Sequence, residues 1–196
     1  MILYLHGFRS SPQSAKASLL AEAVHNAGHA DLWHCPQLPP SPRAAIQLAD
    51  ELIAQGVAKG MDPERDLVVL GSSLGGYYAG CLAEKHRCRA LLFNPVIYAA
   101  RDLATQVGEH TMWNSPERFH FLPEYVDELA EMAFDRPADP SRYYLLAAKG
   151  DEVLDWREMV DWYHGCELRL LEESDHGISD FEQWLPEVLE RILPSR

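Results

Sequence analysis

The sequence predicts a doubly wound α/β fold, and three features of its pattern lead there. Short apolar runs bounded by Gly, Pro or Asp alternate with longer stretches of helical spacing, the β/α rhythm of a sheet covered by helices. Several of the runs are apolar at successive positions rather than alternate ones, which marks strands buried on both faces, as in a parallel sheet. A Gly-rich turn at 71–76 joins one such run directly to a helical stretch.

Strands are expected at 2–5, 31–35, 67–70, 90–93, 143–148 and 168–171. Helical spacing covers 12–27, 43–57, 74–86 and 156–163, with Ile46, Ala49 and Ile53 on one face of the second. A last helix follows Ile178, and Pro186 should kink or restart it. The stretch 96–142 breaks the rhythm, offering no convincing strand but Pro116, Pro123, Pro137 and Pro140 among Trp113, Phe119, Phe121, Tyr125 and Phe134. That aromatic content argues against a disordered linker. It leaves two readings, a connection packed on the body by its own side chains or a cap-like insertion over a ligand pocket.

Composition bounds the rest. Seventeen Lys and Arg against 30 Asp and Glu give a net charge of −13, with 47% hydrophobic residues in a chain of 196. The length and composition suit one globular domain, 1–196. A surface this acidic repels phosphate backbones and anionic headgroups, so neither nucleic acid nor a membrane is expected as partner. Cys35, Cys81, Cys88 and Cys166 form no C-x-x-C pair, consistent with free thiols in a reducing compartment. The opening Met-Ile-Leu-Tyr-Leu-His lacks a basic leader region, and no apolar run reaches the ~18 residues of a membrane span. A cytoplasmic location is therefore expected.

The strongest chemical signal is Gly71-Ser72-Ser73-Leu74-Gly75-Gly76, set between a strand and a helix. Only Ser73 has glycine two residues away on both sides. This is the G-x-S-x-G turn that holds a serine hydroxyl clear at the end of a strand. Chance supplies such a pentapeptide roughly 0.04 times in a chain of this composition. A phosphate-binding loop fits worse, because no Gly-Lys-Ser/Thr closes the turn.

A serine hydroxyl needs a base and a group that orients the base. In this arrangement the chain order is serine, acid, histidine, each after a strand. Asp151 follows the fifth predicted strand and His176 the sixth. Asp155 is better placed to cap the helix that starts at Trp156, and Asp175 adjoins His176 as a turn residue. Among the other histidines, His34 ends a strand that precedes the nucleophile, and His25, His29, His86, His110, His120 and His164 fall in helical or loop settings. The segment Leu5-His6-Gly7-Phe8 follows the first strand, where one oxyanion donor of such a site belongs. The backbone N–H groups of Phe8 and Leu74 are thus the candidate oxyanion hole, with His6 bracing its loop. No metal-ligand spacing and no G-x-G-x-x-G is present, so neither a metal nor a nucleotide cofactor is expected.

Taken together, the segment from Tyr4 to Ala17, Gly71-Ser-Ser-Leu-Gly-Gly-Tyr-Tyr-Ala, Asn94-Pro95, Gly150-Asp-Glu-Val-Leu-Asp and Ser174-Asp-His-Gly with Phe181-Glu resemble the YqiA-like esterases, a compact branch of the α/β-hydrolases. The motifs span almost the whole chain in the family's order. The resemblance implies a serine hydrolase of carboxylic esters, with thioesters such as acyl-CoA within range, and a triad on Ser73, Asp151 and His176. It also implies a compact α/β-hydrolase fold of six mainly parallel strands in the order 2-1-3-4-5-6, without extra amino-terminal strands. One departure stands out: the family's arginine soon after Asn-Pro is replaced by Val96-Ile97-Tyr98-Ala99-Ala100 before Arg101. A ligand-binding protein that keeps the scaffold without turnover remains the alternative, and the sequence leaves the oligomeric state open.

Overall fold

The computed structural model describes residues 1–113 and 115–194. In chain order the elements are β1 (Ile2–Leu5), α1 (Ala15–Asn26), β2 (Trp33–His34), α2 (Pro42–Ala58), α3 (Pro63–Asp66), β3 (Val68–Ser72), α4 (Leu74–His86), β4 (Arg89–Phe93) and α5 (Ala99–Leu103). They continue with β5 (Gly108–Thr111), β6 (Arg118–Phe121), α6 (Pro123–Glu131), β7 (Tyr143–Ala148), α7 (Trp156–Trp162), β8 (Glu167–Leu171) and α8 (Leu185–Ile192). Six strands pair in the order β2-β1-β3-β4-β7-β8, every pairing parallel. Numbered among themselves, these six run 2-1-3-4-5-6, as expected.

The successive apolar residues have a physical basis here. Leu3, Leu5, Val69, Leu92, Leu145 and Ala147 point into one core, shared with α2, α4, α5, α6 and α7. Their neighbours Ile2, Tyr4, Val68, Leu70, Leu91, Phe93, Tyr144 and Leu146 fill the other, against α1 and α8. Each central strand must therefore be apolar on both sides, and its loops emerge at the carboxyl edge.

Local chemistry sets the helix ends. Ser41 Oγ accepts the Ala44 N–H at 3.1 Å ahead of Pro42, and Asp155 Oδ1 accepts the Arg157 N–H at 2.9 Å. Asp155 is thus a cap, as its position predicts. Pro186 restarts rather than kinks the last helix: a 3₁₀ turn at Phe181–Gln183 gives way to α8, with the proline in its first turn.

Two expectations are corrected. The strand expected at 31–35 shrinks to Trp33–His34, because Ala30–Leu32 coil into a 3₁₀ turn. The stretch 96–142 does contain strands, an antiparallel hairpin of β5 and β6. Their sequences, GEHT and RFHF, hide this because neither carries an apolar run. Phe119 and Phe121 reach the body by packing edge-on against Phe8, at 5.6 and 5.2 Å between ring centroids. Downstream, α6 is pinned by Glu128, which accepts from Ser41 Oγ at 2.7 Å, and by the Tyr77 hydroxyl, which donates to Leu129 O at 2.8 Å. Among the described residues, no helix is long and apolar enough to cross a membrane.

Candidate active site

Ser73 is the sharp corner between β3 and α4, with φ 56° and ψ −122°. That conformation is costly for a non-glycine residue, and close packing around it holds it in place. Cβ atoms on Gly71 and Gly75 would overlap the carbonyls of Gly75 and Leu5. The flanking glycines thus let the turn press against itself and against the end of β1. The Ser73 N–H donates to Phe93 O at 3.1 Å, and its carbonyl accepts from Val96 N–H at 3.1 Å.

His176 Nε2 lies 3.1 Å from Ser73 Oγ, and its Nδ1 lies 2.8 Å from Asp151 Oδ2. The structure brings these three predicted residues together from the ends of β3, β7 and β8. The Asp151 side chain is fully buried, and its Oδ1 accepts the N–H groups of Val153 and Leu154 at 2.8 Å each. Such a carboxylate is fixed in orientation. With Nδ1–H directed at Asp151, Nε2 is left free to accept the serine proton. The neighbouring acids are engaged elsewhere: Asp175 Oδ1 accepts from Ser179 N–H at 2.9 Å and Glu152 from the backbone N–H of His176 at 3.0 Å. Burial pushes the thiols of Cys35, Cys81 and Cys88 up to about 12, so none competes as a nucleophile near neutrality.

The loop of Phe8 faces the serine across Gly7, where a Cβ would stand 3.2 Å from Ser73 Cβ. His6 braces this loop: it is almost fully buried, its Nδ1 lies 3.0 Å from Gly7 O, and its Nε2 accepts the Leu38 N–H at 3.0 Å. Burial lowers its pKa, which keeps the ring neutral, as this bonding requires. Arg9 ties the same loop to the hairpin, donating from Nε to Thr111 O at 2.9 Å and stacking 4.0 Å over Trp113.

Two cavities meet at Gly7 and Phe8. One, of about 250 Å³, is lined by Leu38, Leu74, Tyr78, Met112 and Phe119. The other, of about 270 Å³, contains Ser73, His176, Ile178, Lys16 and Trp113. The stretch 96–142 therefore contributes walls to both. Two residues without a predicted role also belong to the site. Lys16 donates from its ammonium to Gly177 O, and burial lowers its pKa to about 8 against the opposing pull of Asp175 and Asp151. Asn94, wholly buried, contacts the loop of His176. The available signal for it was a carboxamide directly after an apolar central strand.

The layering, the strand order and the elbow define the α/β-hydrolase fold. Solved structures share it at low identity. A putative hydrolase from Agrobacterium vitis S4 matches at 16% identity and a TM-score of 0.69, over 98% of this chain and 87% of that one. A putative α/β-superfamily hydrolase from Xanthomonas campestris pv. campestris matches at 20% and 0.58, over 97% and 98%. Est1E from Butyrivibrio proteoclasticus, solved with ferulic acid bound, matches at 15% and 0.62, over 97% and 85%. At family level, the model of the uncharacterised protein family UPF0227 matches residues 1–192. The chain belongs to that family, the YqiA-like group that its motifs resemble.

Proposed function

We propose that the protein is a serine hydrolase of carboxylic esters, thioesters such as acyl-CoA included. The observation that carries this reading is His176, within hydrogen-bond reach of Ser73 on one side and of a buried carboxylate on the other. Ser73 Oγ attacks the ester carbonyl carbon while His176 Nε2 takes its proton, and Asp151 stabilises the imidazolium. The developing oxyanion accepts from the N–H groups of Phe8 and Leu74, each worth about 3 kcal/mol in the transition state. His176 then returns the proton to the leaving oxygen or sulfur. Water attacks the acyl-serine by the same route, releasing the acid and restoring Ser73.

Proton return also divides the two cavities. The leaving atom must sit beside Nε2, so the alcohol or thiol occupies the cavity that contains His176. The acyl chain then runs past Phe8 into the other, beside Leu38 and Phe119. Four free cysteines and an acidic surface support a cytoplasmic place of work.

The test is labelling of the intact protein with a fluorophosphonate, read by mass spectrometry, alongside hydrolysis of p-nitrophenyl butyrate. Stoichiometric modification at Ser73, abolished in His176→Ala, is the expected result. A folded protein that neither labels nor turns over would overturn the reading and leave a ligand-binding scaffold.

A further inference from the structure

We propose that Asn94 is a positioning residue of this site, its carboxamide fixing the loops of the acid and the base at once. The inference rests on the hydrolase reading. Asn94 follows β4 directly, is completely buried, and holds φ at 42°. Asparagine is among the few residues that tolerate such a value. Its backbone N–H donates to Leu146 O at 3.0 Å, extending the β4–β7 ladder. Its side chain then makes three bonds. Oδ1 accepts the Ala148 N–H at 2.7 Å, and Nδ2 donates to Asp175 O and His176 O at 3.0 Å each.

These partners are the supports of the triad. Ala148 ends β7, and its carbonyl accepts the N–H of Asp151 at 3.3 Å. The other two are the carbonyls of His176 itself and of the residue before it. The residues on either side of Asn94 hold the nucleophile, since Ser73 N–H donates to Phe93 O and Val96 N–H donates to Ser73 O, both at 3.1 Å. One short segment, 93–96, therefore touches all three loops. A carboxamide is the group that fits: one end must accept, the other must donate twice. An ionised carboxylate would set an oxygen against two carbonyl oxygens, and an apolar side chain would leave three buried backbone groups unpaired.

Positioning matters because misplacing a reacting group by about 1 Å costs roughly 10²-fold in rate. Asn94→Gly keeps the positive φ accessible and deletes the amide. Asn94→Asp keeps the shape, and when protonated its O–H can replace one of the two donations. The surrounding ionisable groups are Asp175 and His176 on the base loop, Asp151 and Glu152 on the acid loop, the latter accepting the His176 N–H, and Lys16, which donates to Gly177 O. They are common to both variants, so the Asp-to-Gly activity ratio isolates the added carboxyl.

The experiment measures kcat and KM for p-nitrophenyl butyrate, and the rate of fluorophosphonate labelling at Ser73, in wild type and both variants between pH 5.5 and 8.5. Thermal melts set an assay temperature at which each variant is folded. Wild type labels and turns over; its failure to do so would indict the hydrolase reading, not Asn94. For Asn94→Gly, kcat and labelling rate fall together by about 10²-fold with KM within about twofold. For Asn94→Asp, activity relative to Asn94→Gly rises as pH falls. Wild-type kcat in folded Asn94→Gly overturns the proposal. Should that variant not fold, an Asn94→Asp profile parallel to wild type across the range overturns it instead.

Discussion

Asp151 spends one carboxylate oxygen on His176, 2.8 Å from Nδ1, and the other on the N–H groups of Val153 and Leu154. The second set of bonds fixes which oxygen faces the ring. Asp151→Asn keeps an oxygen for the two backbone donors and turns its NH₂ toward Nδ1. The imidazole must then carry its proton on Nε2, where it cannot accept from Ser73. The expected outcome is a folded protein with kcat lowered by about 10⁴-fold, the size of effect seen when a triad acid becomes an amide. Ester kinetics and a urea titration of the same sample check it. An active Asp151→Asn would move the role of acid to another carboxylate.

Gly75 illustrates how the site is tied to the sheet. A Cβ at this position would overlap the carbonyl of Leu5, at the end of β1, immediately before the loop of Phe8. Backbone cannot swing aside as a side chain can, so Gly75→Ala should cost roughly 3 kcal/mol or more by overpacking. It should also separate the N–H groups of Phe8 and Leu74, the proposed oxyanion donors. Gly28→Ala is the control: its φ is +83° with open space around it, so backbone strain alone costs about 1 kcal/mol. Urea midpoints and kcat should separate the two, Gly75→Ala losing both and Gly28→Ala only a little stability.

His6 gives a pH dependence whose sign is fixed by its bonding. Burial penalises the charged ring and lowers its folded-state pKa below that of the unfolded chain, against the opposing pull of the Gly7 carbonyl, and a charged ring could not accept the Leu38 N–H. Well above pH 6.5 both states are neutral and His6 contributes no slope. As pH falls through 6.5 the unfolded chain takes up a proton that the folded ring refuses, and stability is lost until the lowered folded value is reached. His6→Gln can offer an oxygen to Leu38 without titrating. Between pH 7.5 and 5.5, wild type should therefore lose more unfolding free energy than His6→Gln, and equal losses would show that the ring protonates freely.

Much of this was legible because the constraints are local. The elbow, the Asp155 cap and the order of Ser73, Asp151 and His176 each follow from short-range chemistry placed at strand ends. The strand order also follows from a resemblance spread along the chain. The hairpin was not legible, since β5 reads Gly-Glu-His-Thr with no apolar residue and the rings of His110, Phe119 and Phe121 find their partner, Phe8, about a hundred residues away. Asn94 stands in a recognisable Asn-Pro pair, yet its task is hidden for the same reason. Its partners, Ala148, Asp175 and His176, lie 54 to 82 residues along the chain, and nothing local announces a carboxamide that bridges them.

The division of the two cavities makes a prediction about acyl length. Leu38 is largely buried, lines the cavity it shares with Met112 and Phe119 and does not line the cavity that contains Ser73 and His176. Leu38→Trp would fill much of that space while leaving the leaving-group side open. If acyl chains enter there, kcat/KM for acetyl and butyryl esters should change by less than about threefold, while octanoyl and longer esters fall by tenfold or more. Each methylene denied burial forfeits about 0.8 kcal/mol, so three or four lost methylenes suffice for that discrimination. A series of p-nitrophenyl esters of rising chain length reads it directly, because the alcohol is constant. Varying the alcohol at fixed acyl length gives the complement, and Leu38→Trp should leave that series parallel to wild type. If instead the alcohol series bends and the acyl series does not, the assignment of the two cavities is reversed.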